Sequence, residues 1–132
     1  MDENVPPIGS KSILLVDTEQ FIIVAYKDGL ERAGYRVTVV QDGKAALNTL
    51  QTMTPDLIIM DLMLPKMNGF ELLQLMKNSD EYKSIPVLVL TNLSQANDEA
   101  EARSFGIVDF MVKADVSLQD LLTRLDEILG SN

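Results

Sequence analysis

Residues 55–73 read PDLIIMDLMLPKMNGFELL, and their order decides the fold. A proline is followed by an apolar run that ends on Asp61, then by a loop with Pro65 and Asn68-Gly69, then by a helical stretch. Continuous apolar runs of four or five residues bounded by turn signals are the mark of strands buried on both faces. The run predicts a strand at 56–60 and a helix at 69–78.

The same unit recurs on both sides. Strands are expected at 12–16, 36–40, 86–90 and 108–112, with Pro86 tolerable at a strand's first residue. Helices are expected at 19–33, 43–52, 95–105 and 118–129. Gly34 stops the first, and the second ends before Pro55, because a residue preceding proline avoids helical geometry. In the last helix Leu118, Leu121, Leu122, Leu125, Ile128 and Leu129 hold helical spacing, and Ser117 with Asp120 resembles a capping box. Five strands alternating with five helices imply an α/β fold, a doubly wound parallel sheet in the order 2-1-3-4-5. A single domain at 12–129 follows a flexible leader at 1–11, which holds Pro6-Pro7 and Gly9.

Composition narrows the chemistry. The 132 residues contain no cysteine and no histidine, so disulfides, thiolate zinc sites, Ser-His-Asp triads and phosphohistidine carriers are excluded. Any covalent nucleophile is a carboxylate, hydroxyl or amine. A formal charge of −9, from 20 acids against 11 bases, argues against direct nucleic-acid binding. No apolar run approaches the ~18–20 residues that span a bilayer, and the N-terminus lacks the basic start and apolar core of a signal peptide. A cytoplasmic location is expected.

Ligands of doubly wound sheets bind beyond the carboxyl ends of the strands, at the switch in strand order. Asp17 and Thr18 close the first strand, Asp61 the third, Thr91 the fourth and Lys113 the fifth. Any one of them alone reads best as a strand end or helix cap. All of them at one edge make a site. The carboxylates of Asp17 and Asp61 repel unless a cation offsets them, and Lys113 with a hydrated divalent ion would do so.

The segments ILLVDTE at 13–19, PDLIIMDLMLPKMNGFELL at 55–73, IPVLVLTN at 85–92 and VDFMVKA at 108–114 resemble those of response-regulator receiver domains of two-component signalling, over about residues 12–129. The chain resembles stand-alone, single-domain regulators of the chemotaxis and sporulation type. The resemblance implies a flavodoxin-like fold and a phosphoryl group accepted on Asp61 from a sensor histidine kinase or histidine phosphotransfer protein. It implies Mg²⁺ held by Asp61, Asp17 and the backbone carbonyl of Met63. Lys113 and Thr91 would bind phosphoryl oxygens, and Phe110 would turn inward as Thr91 moves. The output would be protein–protein contact with a downstream target, from a monomer or weak dimer, with no separate substrate turned over.

Several residues depart from the family pattern. Thr18 stands where the family has a second acid, so Mg²⁺ is expected to bind weakly. Glu19 is adjacent, but in the family that position points elsewhere. Ala114 replaces a proline, and the bond before it is expected to be trans. Met63 and Leu93 are apolar where the family tunes hydrolysis, which predicts a long-lived phosphoryl group. On the first helix Ile22, Tyr26, Leu30 and Ala33 form the core stripe, while Phe21, Ile23 and Val24 fall partly outside it. Phe21 and Val24 are candidates for partner docking, with wider burial against the last helix as the other account. Two other functions stay open: a phosphorylation-independent binding module of the same fold, and a phosphatase with an aspartyl-phosphate intermediate. The second needs a carboxylate two residues past the nucleophile, where Met63 stands.

Overall fold

In the computed structural model, which describes residues 10–130, five strands and five helices alternate along the chain. They are β1 (Ser12–Val16), α1 (Gln20–Arg32), β2 (Arg36–Val40), α2 (Gly43–Leu50), β3 (Leu57–Met60), α3 (Gly69–Lys77), β4 (Val87–Thr91), α4 (Ala96–Ser104), β5 (Asp109–Val112) and α5 (Leu118–Leu129). The expected leader, except for Ser10 and Lys11, lies outside the described residues. All strand pairs are parallel, in the order β2-β1-β3-β4-β5, so the chain switches direction between β1 and β3.

Alternation along each strand sends side chains to two cores. On one face Leu14, Val16, Ile58, Met60, Val87 and Val89 pack with Leu50, Leu72, Leu73, Met76 and Ala102 from α2, α3 and α4. On the other Ile13, Leu15, Leu57, Ile59, Leu88 and Leu90 pack with Ile22, Tyr26, Leu30, Leu121 and Leu125 from α1 and α5. Each fully buried Leu or Ile contributes roughly 1.5–3 kcal/mol, so the central strands anchor the sheet. Side chains start the helices: Asp42 caps α2, and Asn68–Glu71 and Ser117–Asp120 form capping boxes on α3 and α5.

Two expectations about α1 change. Ala33 is exposed, because the helix ends at Arg32 and the chain turns through Gly34 at φ 102°. Ile23 is buried, because α1 touches both β2 and α5 and its buried arc is wide. Thr91 belongs to β4, paired with Val112, while Pro86 stands just outside the strand. No cis peptide bond occurs among the described residues, and Lys113–Asp115 continues from β5 as one turn of 3-10 helix. No helix among the described residues is long and apolar enough to cross a membrane.

Candidate functional site

At the carboxyl edge of the sheet the hydrophobic runs of β1, β3, β4 and β5 give way to Asp17, Asp61, Thr91 and Lys113, all buried. Register makes them neighbours: Val16 pairs with Met60, Met60 with Val89, and Thr91 with Val112. The Asp61 carboxylate is fully partnered. Its Oδ1 accepts from the Thr91 hydroxyl at 2.6 Å and from the Met63 N–H at 3.1 Å, and its Oδ2 accepts from Lys113 Nζ at 2.9 Å. Lys113 also donates to Asp17, whose Oδ2 lies 2.9 Å away, and to Glu19 Oε1 at 3.1 Å. Asp17 Oδ1 accepts in addition from the Glu19 N–H at 3.0 Å.

Burial and charge pull against each other here. Burial raises the Asp17 pKa above the ordinary carboxylate value, despite the Glu19 N–H and the Lys113 ammonium. Burial alone would lower the Lys113 pKa, but hydrogen bonds to Asp61 and Asp17, and their charges, win and hold it above its usual value. One oxygen from each of Asp17, Glu19 and Asp61 lies within 4.8 Å of the others. Three carboxylates against one ammonium leave two negative charges uncompensated when all are ionised. An all-oxygen donor set with that deficit suits a hard divalent cation such as Mg²⁺.

The loop after Asp61 is held from several sides. Gly69 is required there: a Cβ would stand 2.7 Å from Leu62 Cα and 2.8 Å from the Asp61 carbonyl oxygen, backbone atoms that cannot yield. Lys66 takes a left-handed φ of 67°, and its ammonium lies 3.8 Å from Asp42 at the start of α2. Met63 is 59% exposed, and with Leu93, Leu62, Leu64, Asn68 and Phe70 it lines an apolar groove beside the acceptor.

The structure thus brings Asp17, Asp61, Thr91 and Lys113 together as the sequence predicts, with Met63 at the rim. Thr18 is exposed, and its hydroxyl makes no hydrogen bond among the described residues. Phe110 is buried in the core cluster of α2, α3 and α4, so its ring already lies inward while Thr91 bonds Asp61. Phe21 and Val24 are 81% and 66% exposed, away from any core. Sequence reasoning missed Glu19. It was expected to point elsewhere, yet it reaches Lys113 across 94 positions of chain. Its one sequence signal is an acid directly after the residue that replaces an acid.

Known proteins agree with this geometry. Residues 13–126 match the family model described as the response regulator receiver domain. The chain is 36% identical over 120 residues to the Bacillus subtilis alkaline phosphatase synthesis transcriptional regulatory protein PhoP, which covers 91% of this chain and 49% of that protein. The chain therefore spans about half the length of PhoP. It is 29% identical to the polar-differentiation response regulator DivK of Brucella anthropi, over 91% of this chain and 97% of DivK. The chemotaxis response regulator CheY4 of Vibrio cholerae superposes with a TM-score of 0.82 at 31% identity, over 91% and 99% of the two chains. The receiver domain of a Pseudomonas aeruginosa sensor histidine kinase, solved with a magnesium ion coordinated in its active-site cleft, superposes with a TM-score of 0.82 at 26% identity, over 93% and 100%.

Proposed function

The chain belongs to the response regulator receiver domain family of two-component systems, and from that premise we propose that it accepts a phosphoryl group on Asp61 and signals through the contacts that follow. Receiver domains are signalling modules that meet histidine kinases and downstream targets. The donor here is a phosphohistidine on a sensor kinase or phosphotransfer protein. An Asp61 carboxylate oxygen forms the new O–P bond, the P–N bond to the donor imidazole breaks, and that nitrogen recovers its electron pair and a proton.

The observation that carries the proposal is the convergence of Thr91 and Lys113, from two other strands, on the two oxygens of the Asp61 carboxylate. Lys113 Nζ stands 2.9 Å from Asp61 Oδ2, beside the place an equatorial phosphoryl oxygen would take. Thr91 can pass its hydroxyl from Asp61 Oδ1 to another such oxygen without leaving its strand. Phosphoryl transfer needs little covalent help and is served by positioning and charge neutralisation. Mg²⁺, held by Asp61, Asp17 and the Met63 carbonyl, would supply the positive charge that the developing phosphoryl charge requires. The change in the Thr91 hydroxyl's partner would be passed along β4 to the neighbouring α4, β5 and α5. Phe21 and Val24 would receive the donor. In this reading the protein acts in the cytoplasm, as a monomer or weak dimer, on a protein rather than on nucleic acid, which suits its net charge of −9.

Intact mass after incubation with acetyl phosphate and Mg²⁺ tests this. One added phosphate, absent in Asp61→Asn, is the expected result. The exposed Thr18, which makes no hydrogen bond among the described residues, favours a second reading, a receiver that works by binding alone. No mass shift at millimolar Mg²⁺ would select it.

A further inference from the structure

Lys113 has three N–H bonds, and three carboxylates take them: Asp17, Asp61 and Glu19. A phosphoryl group on Asp61 needs one of those donors, so one partner must leave. The side chains of Asp17 and Asp61 are 1% and 6% exposed, whereas that of Glu19 is 48% exposed. Glu19 is the partner that can withdraw at least cost in burial. It also stands at the N-cap of α1 and yet accepts no hydrogen bond from that helix, so the pair with Lys113 is the use its carboxylate has.

We propose that Glu19, and not Thr18, is the additional acid of the cation site, and that it moves from Lys113 to the divalent cation as the site is loaded, which frees the Lys113 ammonium for a phosphoryl oxygen. This rests on the function proposed above. Mg²⁺ places oxygen ligands about 2.0–2.1 Å from itself, which puts ligand oxygens about 2.9 Å apart when adjacent and about 4.1 Å apart when opposite. Oxygens of Asp17, Glu19 and Asp61 already lie within 4.8 Å of one another, so a small rotation of the exposed Glu19 side chain closes the gap. The acid lost at Thr18 is thus recovered one residue further on, from the first position before the helix. The cation and Lys113 thus compete for one counterion. Loading the site and arming the lysine become a single event.

Isothermal titration of the whole chain with Mg²⁺ separates this from a bystander role. Glu19→Gln should weaken binding about tenfold, and Thr18→Asp added to Glu19→Gln should restore it. Asp80→Asn, which removes a charge from a side chain 98% exposed, should leave affinity unchanged. Thermal melts of each variant check the fold, which a half-exposed side chain does not hold together. Affinity of Glu19→Gln within twofold of the parent overturns the inference, as does an equal loss in Asp80→Asn. Phosphorylation of the parent by acetyl phosphate, measured alongside, then shows that the receiver function stands without it. A parent that neither binds Mg²⁺ nor gains phosphate removes both.

Discussion

Lys113→Met is the substitution whose consequences the site geometry specifies most sharply. Methionine fills much of the same volume, so what is lost is the ammonium. Each contact of about 2.9 Å between Lys113 and a carboxylate is worth roughly 6 kcal/mol before desolvation, at an effective dielectric of about 20. Without the ammonium, carboxylate oxygens within 4.8 Å of one another repel by about 3.5 kcal/mol per pair on the same scale, and by less for the half-exposed Glu19. A domain with a total stability of roughly 5–15 kcal/mol does not carry that load, so a carboxylate takes up a proton instead. The net loss at pH 7 should be about 3–5 kcal/mol, the usual consequence of stripping one partner from a buried ion pair. For this chain length that lowers Tm by about 10–20 °C. The sign with pH is definite. In the variant Asp17, whose pKa burial already raises, loses the ammonium that lowers it, so the penalty is present at neutral pH and is relieved as pH falls through the raised value. Millimolar Mg²⁺ should relieve it as well. Urea and thermal unfolding at pH 7 and pH 5, with and without about 10 mM Mg²⁺ to load the site by mass action, provide the assay. A loss of stability that neither acid nor Mg²⁺ reduces would refute the charge-balance account and point to packing alone.

Two further outcomes are expected. Met63 and Leu93 flank the acceptor with apolar side chains that cannot orient water, so the phosphoryl group should be long-lived; Met63→Asn should speed its loss about tenfold by offering an amide to the attacking water, and a half-life of seconds in the parent, followed by mass-shifted protein, would contradict this. Phe21→Ser with Val24→Ser should slow transfer from a phosphohistidine protein several-fold while leaving the reaction with acetyl phosphate unchanged, because both side chains are exposed on α1 and a small donor needs no docking; equal slowing of both reactions would count against docking.

How much of this was legible depends on how local its cause is. The strands announce themselves because a parallel sheet covered on both faces needs unbroken apolar runs, and Leu57–Met60 has no polar residue to break it. Asp61, Thr91 and Lys113 were visible for the same reason, since each ends such a run at the same edge. The capping box of α5 is encoded three residues apart and was read directly. The phase of α1 was harder. A helix pressed against both a strand and another helix buries a wider arc than a single stripe, which is why Ile23 goes inside, and a turn at Gly34 leaves Ala33 outside.

Glu19 belongs to a different class of problem. Its backbone position, expected as the first residue of the helix, is the N-cap one residue before it, and nothing local says where its side chain goes. That is decided by an electrostatic deficit assembled from four strand ends that the chain visits between residues 17 and 113. The deficit itself can be reasoned out beforehand: a buried Asp17 and Asp61 need positive charge, and the positive charge, once supplied by Lys113, attracts any flexible acid within reach. What pattern reading lacks is the reach. A side chain with three rotatable bonds beside a vacant-charge position at Thr18 can satisfy the same requirement that a shorter acid would meet one residue earlier. The loss of an acid at one position is therefore weak grounds for a lost site, and the electrostatics of the surrounding shell is the better guide.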